Sequence, residues 1–188
     1  MGIGSDASVS FGSTPMNLIT GHLNYRVSIS LKALMTVGLI SSSAMAQPTV
    51  ATGETVRLQN TLTGISKCLD IVNDGYNNQL TMANCGNYTG QSWSLKKDGD
   101  SYRLQTLFTG KGKCLDIVND GESNRLAMAA CGNYSGQLWS LERLGSFYRL
   151  RTLFTGPQRC LDVVNDGAND RLAMAACADV SGQLWGIY

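Results

Sequence analysis

The chain has 188 residues, 43% of them hydrophobic and 15% charged, a composition that excludes disorder over its length and suits one substantial domain. Its formal net charge is +1; since Asp6, Arg26 and Lys32 fall within the first 46 residues, the remainder carries 13 basic and 13 acidic side chains. So even a balance excludes a dedicated nucleic-acid binder, which needs a basic face to displace counterions from phosphate.

Residues 1–30 form a polar stretch without a strong pattern, which reads either as a long leader or as sequence preceding a start codon further in, such as Met16. From Leu31 the chain reads LKALMTVGLISSSAMA: Lys32, an apolar run over 33–40, then small residues ending in Ala44-Met45-Ala46. That three-part order is the pattern of a secretory signal, and the run is too short to cross a bilayer permanently. A buried core helix is the alternative, but nothing amphipathic surrounds the run. Residues 1–46 are therefore expected to be a leader cleaved near Ala46. The expected mature form, residues 47–188, has no membrane span and lies in the periplasm or outside the cell.

The rest of the chain is one unit written three times. TGISKCLDIVNDGYNNQLTMANCGNYTGQSWSL begins at Thr63, TGKGKCLDIVNDGESNRLAMAACGNYSGQLWSL at Thr109 and TGPQRCLDVVNDGANDRLAMAACADVSGQLWGI at Thr155, so every landmark advances by 46. The repeats fall at about 54–98, 99–144 and 145–188, which leaves no room for a second domain. Within a unit the apolar period is two, which predicts strands. Tyr102 and Leu104 alternate with polar residues, Leu115 and Ile117 flank Asp116, Leu126 and Met128 alternate with alanines, and Trp139 and Leu141 flank Ser140.

Turn formers separate these four strands: Gly110, then Asn119-Asp120-Gly121, then the stretch from Gly132 to Gly136. An all-β chain of twelve strands in three like sets favours closure about a threefold axis, because closure removes exposed edges. A propeller would want more units and a solenoid would want distinct capping repeats.

Each repeat holds two cysteines with 16 residues between them. An even count behind an export signal reads as a disulfide framework. Six cysteines allow fifteen pairings, of which the local set Cys68 to Cys85, Cys114 to Cys131 and Cys160 to Cys177 is the simplest under threefold repetition. Each such bond would contribute about 3 kcal/mol in the chain-entropy account. A metal site is not expected: there is no C-x-x-C pair, and the one histidine, His22, precedes the cleavage point. Asp70-x-x-Asn73-Asp74-Gly75 is oxygen-rich but lacks EF-hand spacing, so no calcium and no other cofactor is expected.

Cys-Leu-Asp in the second strand, a second cysteine, and Gln-x-Trp in the fourth, all three times in register, resemble the ricin B-type lectin family over about residues 54–188. The resemblance implies a β-trefoil with up to three weak sugar sites. It implies that Asp70, Asp116 and Asp162 receive hydrogen bonds from sugar hydroxyls. Gln91, Gln137 and Gln183 would support the pockets, and Trp93, Trp139 and Trp185 would pack in the core. Two features depart from the family's pattern. Ala83, Ala129 and Ala175 stand where an aromatic platform is usual, and Gly90, Gly136 and Gly182 replace the asparagine before the glutamine. Tyr88 and Tyr134, beside Asn87 and Asn133, are substitute platforms with amide donors, whereas repeat three has Ala178-Asp179-Val180 there.

A carboxylate or amide beside an aromatic ring matches a pyranose, which offers hydroxyls on its rim and C–H bonds on one face. The expected function is thus carbohydrate binding without catalysis by a monomer, the partner being a glycan or polysaccharide. A protein-binding or inhibitory trefoil is the alternative that the missing platform favours. The turn reading of Asn-Asp-Gly and a purely anchoring role for the aspartates stand beside it. An enzyme is not expected, because the repeated carboxylates do not form an asymmetric acid and base pair.

Overall fold

The structure is a computed structural model that describes residues 54–76, 78–122 and 125–188; the expected leader and its cleavage point lie outside these residues. The alternation of apolar and polar side chains becomes twelve strands: β1 (Leu58–Asn60), β2 (Gly64–Ile71), β3 (Leu80–Asn84), β4 (Trp93–Asp98), β5 (Ser101–Thr106), β6 (Lys113–Ile117), β7 (Leu126–Ala130), β8 (Trp139–Leu144), β9 (Phe147–Thr152), β10 (Arg159–Val163), β11 (Leu172–Ala176) and β12 (Trp185–Ile187). Three single 3-10 turns, Thr89–Gln91, Ser135–Gln137 and Ser181–Gln183, lead into β4, β8 and β12.

Six strands form a barrel. β1 pairs with β12, β12 with β9, β9 with β8, β8 with β5, and β5 with β4, all antiparallel. Reciprocal backbone bonds between Val56 and Trp93, at 2.7 and 2.9 Å, close the ring. The same pairing recurs one repeat apart at Tyr102 with Trp139 and Tyr148 with Trp185. Threefold repetition in sequence has therefore become threefold repetition of barrel contacts, and closure leaves no open barrel edge.

The other six strands make three hairpins, β2–β3, β6–β7 and β10–β11, in one common register. Cys68, Cys114 and Cys160 oppose Ala83, Ala129 and Ala175, while Asp70, Asp116 and Asp162 oppose Thr81, Ala127 and Ala173. The hairpins meet one another: Met82 N–H donates to Asp170 O at 2.9 Å and Met128 N–H to Asn78 O at 2.8 Å. Six barrel strands with three hairpins, repeated about one axis, constitute a β-trefoil.

The core draws on all three units. Leu69, Leu115 and Leu161 are fully buried beside Trp93, Trp139 and Trp185, with Met82, Met128 and Met174 around them. Each tryptophan donates its indole N–H to the carbonyl of the buried leucine of its own repeat, at 2.9 to 3.0 Å. A large apolar ring is thereby buried with its one polar atom paired. The disulfides are Cys68–Cys85, Cys114–Cys131 and Cys160–Cys177, each tying the second strand of a repeat to the end of its hairpin. No free cysteine occurs among the described residues.

Candidate functional site

The loop after each hairpin returns to the barrel through a 3-10 turn, which brings the glutamine of Gln-x-Trp under the aspartate of Cys-Leu-Asp. Gln91 is fully buried, and every polar group of its side chain is engaged. Its Nε2 donates to Asp70 Oδ2 at 2.8 Å and to Asn84 O at 2.9 Å, while its Oε1 accepts from Gly86 N–H at 2.9 Å. Gln137 repeats this with Asp116, Ala130 and Gly132, and Gln183 with Asp162, Ala176 and Ala178. Both amide hydrogens of each glutamine are thus spent inside the protein, one of them in holding the aspartate.

The aspartates are half-buried. Asp70 Oδ1 accepts the Ile71 N–H at 2.7 Å and Asp116 Oδ1 the Ile117 N–H at 2.8 Å, so each carboxylate is fixed by one bond to either oxygen. A carboxylate oxygen has two lone pairs, and the second on each is left for a hydroxyl donor. The glycines that stand in place of asparagine follow from this geometry. A Cβ on Gly90, Gly136 or Gly182 would overlap Asp70 Oδ1, Asp116 Oδ1 or Asp162 Oδ1, so the carboxylate occupies the space a side chain would take.

A concavity opens beside each of the first two aspartates. Asp70, Ile71, Asn73, Tyr88, Thr89, Gly90 and Phe108 line one of about 180 Å³. The equivalent residues Asp116, Ile117, Asn119, Tyr134, Ser135, Gly136 and Phe154, together with Asn133, line the other, of about 300 Å³. Tyr88 and Tyr134 are 63% and 60% exposed, with their rings folded over Gly86 and Gly132, where a Cβ would collide with the ring. Asn133 reaches its pocket, whereas Asn87 is exposed and does not line the first.

In the third repeat Val180 takes the tyrosine position and Ala178 the glycine position, so neither the ring nor its seat is present. Asp179, at the asparagine position, pairs with Arg149 Nη2 at 2.9 Å. Ala83, Ala129 and Ala175 sit opposite the first cysteines in the hairpins and present no ring.

The sequence reading took Asn73 and Asn119 as turn formers, and it did not single out Phe108 with Phe154 or Arg57 with Arg103 and Arg149. Asn73 and Asn119 open the Asn-Asp-Gly turns, whose turn character is plain: Gly75 and Gly121 have φ of 87° and 92°, and Tyr76 N–H donates to Asp74 Oδ1. Yet both asparagines also line the pockets. Phe108 and Phe154 come from the turn after the first strand of the following repeat. Arg57, Arg103 and Arg149, one repeat apart, donate to the carbonyls of Gly86, Gly132 and Ala178, and so pin the loop that carries the tyrosine in the first two repeats. Their even spacing of 46 was the signal that could have marked them.

Among the described residues no cluster of three or more His, Cys, Asp and Glu suits a metal ion, and no helix is long and apolar enough to cross a membrane. The profile of the ricin-type β-trefoil lectin domain matches residues 54–185. A designed threefold-symmetric protein, ThreeFoil, superposes with a TM-score of 0.62 at 23% identity, over 71% of this chain and 96% of its own. The ricin B-like lectin of Macrolepiota procera, solved with lactose, superposes with 0.61 at 17% identity, over 76% and 98%. An exo-β-1,3-galactanase from Clostridium thermocellum gives 0.61 at 19% identity, over 72% of this chain and 30% of the enzyme. No curated protein sequence matches the chain significantly.

Proposed function

The chain belongs to the ricin-type β-trefoil lectin family, and from that premise we propose that it is a secreted, non-catalytic protein that binds neutral sugars through its first two repeats. The observation that carries this reading is the pair of equivalent pockets in which a half-exposed aspartate, locked by a buried glutamine, lies beside aromatic rings. The carboxylate and the neighbouring asparagine suit sugar hydroxyls, and the rings suit the C–H face of a pyranose. Asp70 and Asp116 are the one charged residue lining each pocket, which disfavours glycans bearing carboxylate or sulfate.

Lactose in the Macrolepiota procera neighbour is in keeping with a sugar ligand, and three disulfides are in keeping with an oxidising destination. The third repeat lacks the tyrosine and its glycine seat, so its aspartate stands without a stacking partner. Shallow sites of this kind bind singly at about millimolar strength, near −4 kcal/mol. Titration of the purified protein with galactose, N-acetylgalactosamine, xylose and cell-wall polysaccharides tests the reading. Saturable binding of a neutral sugar supports it. A stoichiometric protein complex indifferent to free sugar, with no glycan bound, would replace it with the protein-binding alternative.

A further inference from the structure

Each of the first two pockets crosses a repeat boundary. The wall that does not come from the aspartate's own unit is a phenylalanine from the next one: Phe108 for the Asp70 pocket and Phe154 for the Asp116 pocket. Both sit in the same tight turn. Phe108 N–H donates to Thr89 O at 3.2 Å and Phe154 N–H to Ser135 O at 3.3 Å, which ties each turn to the 3-10 turn of the preceding repeat. Thr106 and Thr152 brace it by accepting, on Oγ1, the N–H of Thr109 and Thr155 at 3.2 Å. Gly110 and Gly156 close it at a φ of 73°.

The turn is rigid by construction, yet its aromatic ring is only partly covered. Phe108 is half-buried against the core and Phe154 remains 38% exposed. The position packs an apolar side chain against the core, as Phe108 and Leu62 both do, but that side chain need not be aromatic, as the chain itself shows. The equivalent turn before β2 carries Leu62 in that position and keeps the outer tie, Thr61 N–H donating to Leu184 O at 3.0 Å, and the closing glycine, Gly64 at a φ of 74°, while Leu62 N–H donates to Asn60 Oδ1 at 3.0 Å in place of the bond to the preceding 3-10 turn. Leucine thus satisfies the fold. Phenylalanine occurs at the two pockets that also hold a tyrosine, and leucine in the turn that meets the repeat without one.

We propose that Phe108 and Phe154 are sugar-stacking walls supplied across the repeat boundary, so that each working site is a composite of two repeats and takes a pyranose whose ring carries an uninterrupted C–H face. This rests on the carbohydrate reading above. A second ring in the pocket lining holds the sugar by dispersion and C–H to π contact while Asp70 or Asp116 orients its hydroxyls. Specificity would then be set by two repeats together.

The test is NMR titration of the whole protein with galactose, N-acetylgalactosamine and xylose, following the amides of Gly90 and Gly136 as separate reporters of the two sites. Phe108→Leu, a side chain the same turn already tolerates, is expected to leave the melting temperature nearly unchanged. It should weaken sugar binding at Gly90 by roughly tenfold, with Gly136 unaffected; Phe154→Leu should do the reverse. Phe108→Trp, which keeps a π face, should retain binding at Gly90. Unchanged affinity in both leucine variants, or equal weakening of both sites by either one, overturns the proposal while leaving the carbohydrate reading in place. Absence of any shift at both glycines in the parent protein, with all three sugars, overturns the carbohydrate reading and this proposal together.

Discussion

Gln137, fully buried, holds the carboxylate of the proposed second site from beneath. Its amide is wholly enclosed, and replacing it with leucine would strand the Ala130 carbonyl, the Gly132 N–H and one oxygen of Asp116. Stranded buried groups cost about 1–3 kcal/mol each before relaxation, so Gln137→Leu is expected to lower stability by about 3 kcal/mol in urea denaturation. Tyr134→Ala, at an exposed position, should lower it by less than about 0.5 kcal/mol and yet abolish binding in the second repeat. Gly136→Ala is different again: the new methyl would displace Asp116 Oδ1, so sugar affinity at that site is expected to fall more than stability does. These roles were unevenly legible in the sequence. The glutamine and aspartate were marked by their motifs, and the tyrosines by their place in the Cys-Gly-Asn-Tyr loop. The reason for glycine at position 136 was hidden, because it depends on where a carboxylate 20 residues earlier points.

At the scale of elements, the strands were readable because hydrophobic alternation is a local property, and the three hairpins because cysteine spacing repeated with them. The pockets were not. Phe108 lies 38 residues beyond Asp70 and in another repeat, and only the barrel's pairing of the Leu107 N–H with Ser92 O and the Phe108 N–H with Thr89 O brings that turn beside the site. Each hairpin is stapled within itself, so Cys114→Ala with Cys131→Ala is expected to cost about 3 kcal/mol, read as a lowered unfolding midpoint. The third repeat offers the constructive counterpart. Val180→Tyr alone would place a ring against the methyl of Ala178, where the other repeats have glycine. Only Leu62→Phe, Ala178→Gly and Val180→Tyr together are therefore expected to create a third sugar site, reported by a new titration shift at Gly182.

For the whole molecule, three like units on one axis make a rigid platform that sets the two proposed sites at a fixed separation. Two millimolar sites could gain roughly 10² in effective strength on a polymer that spans them, and nothing on a free monosaccharide. A neutral ligand also implies that affinity should change little with salt, unlike binding to an anionic polymer. The most direct measurement is calorimetric titration of the parent protein and of the Asp70→Ala, Asp116→Ala and Asp162→Ala variants with whichever neutral sugar binds best, alongside their melting curves. Loss of about half the sites in each of the first two variants, loss of all in their combination, and no change in the third is the expected result. Full binding by a folded Asp70→Ala/Asp116→Ala protein would contradict the account.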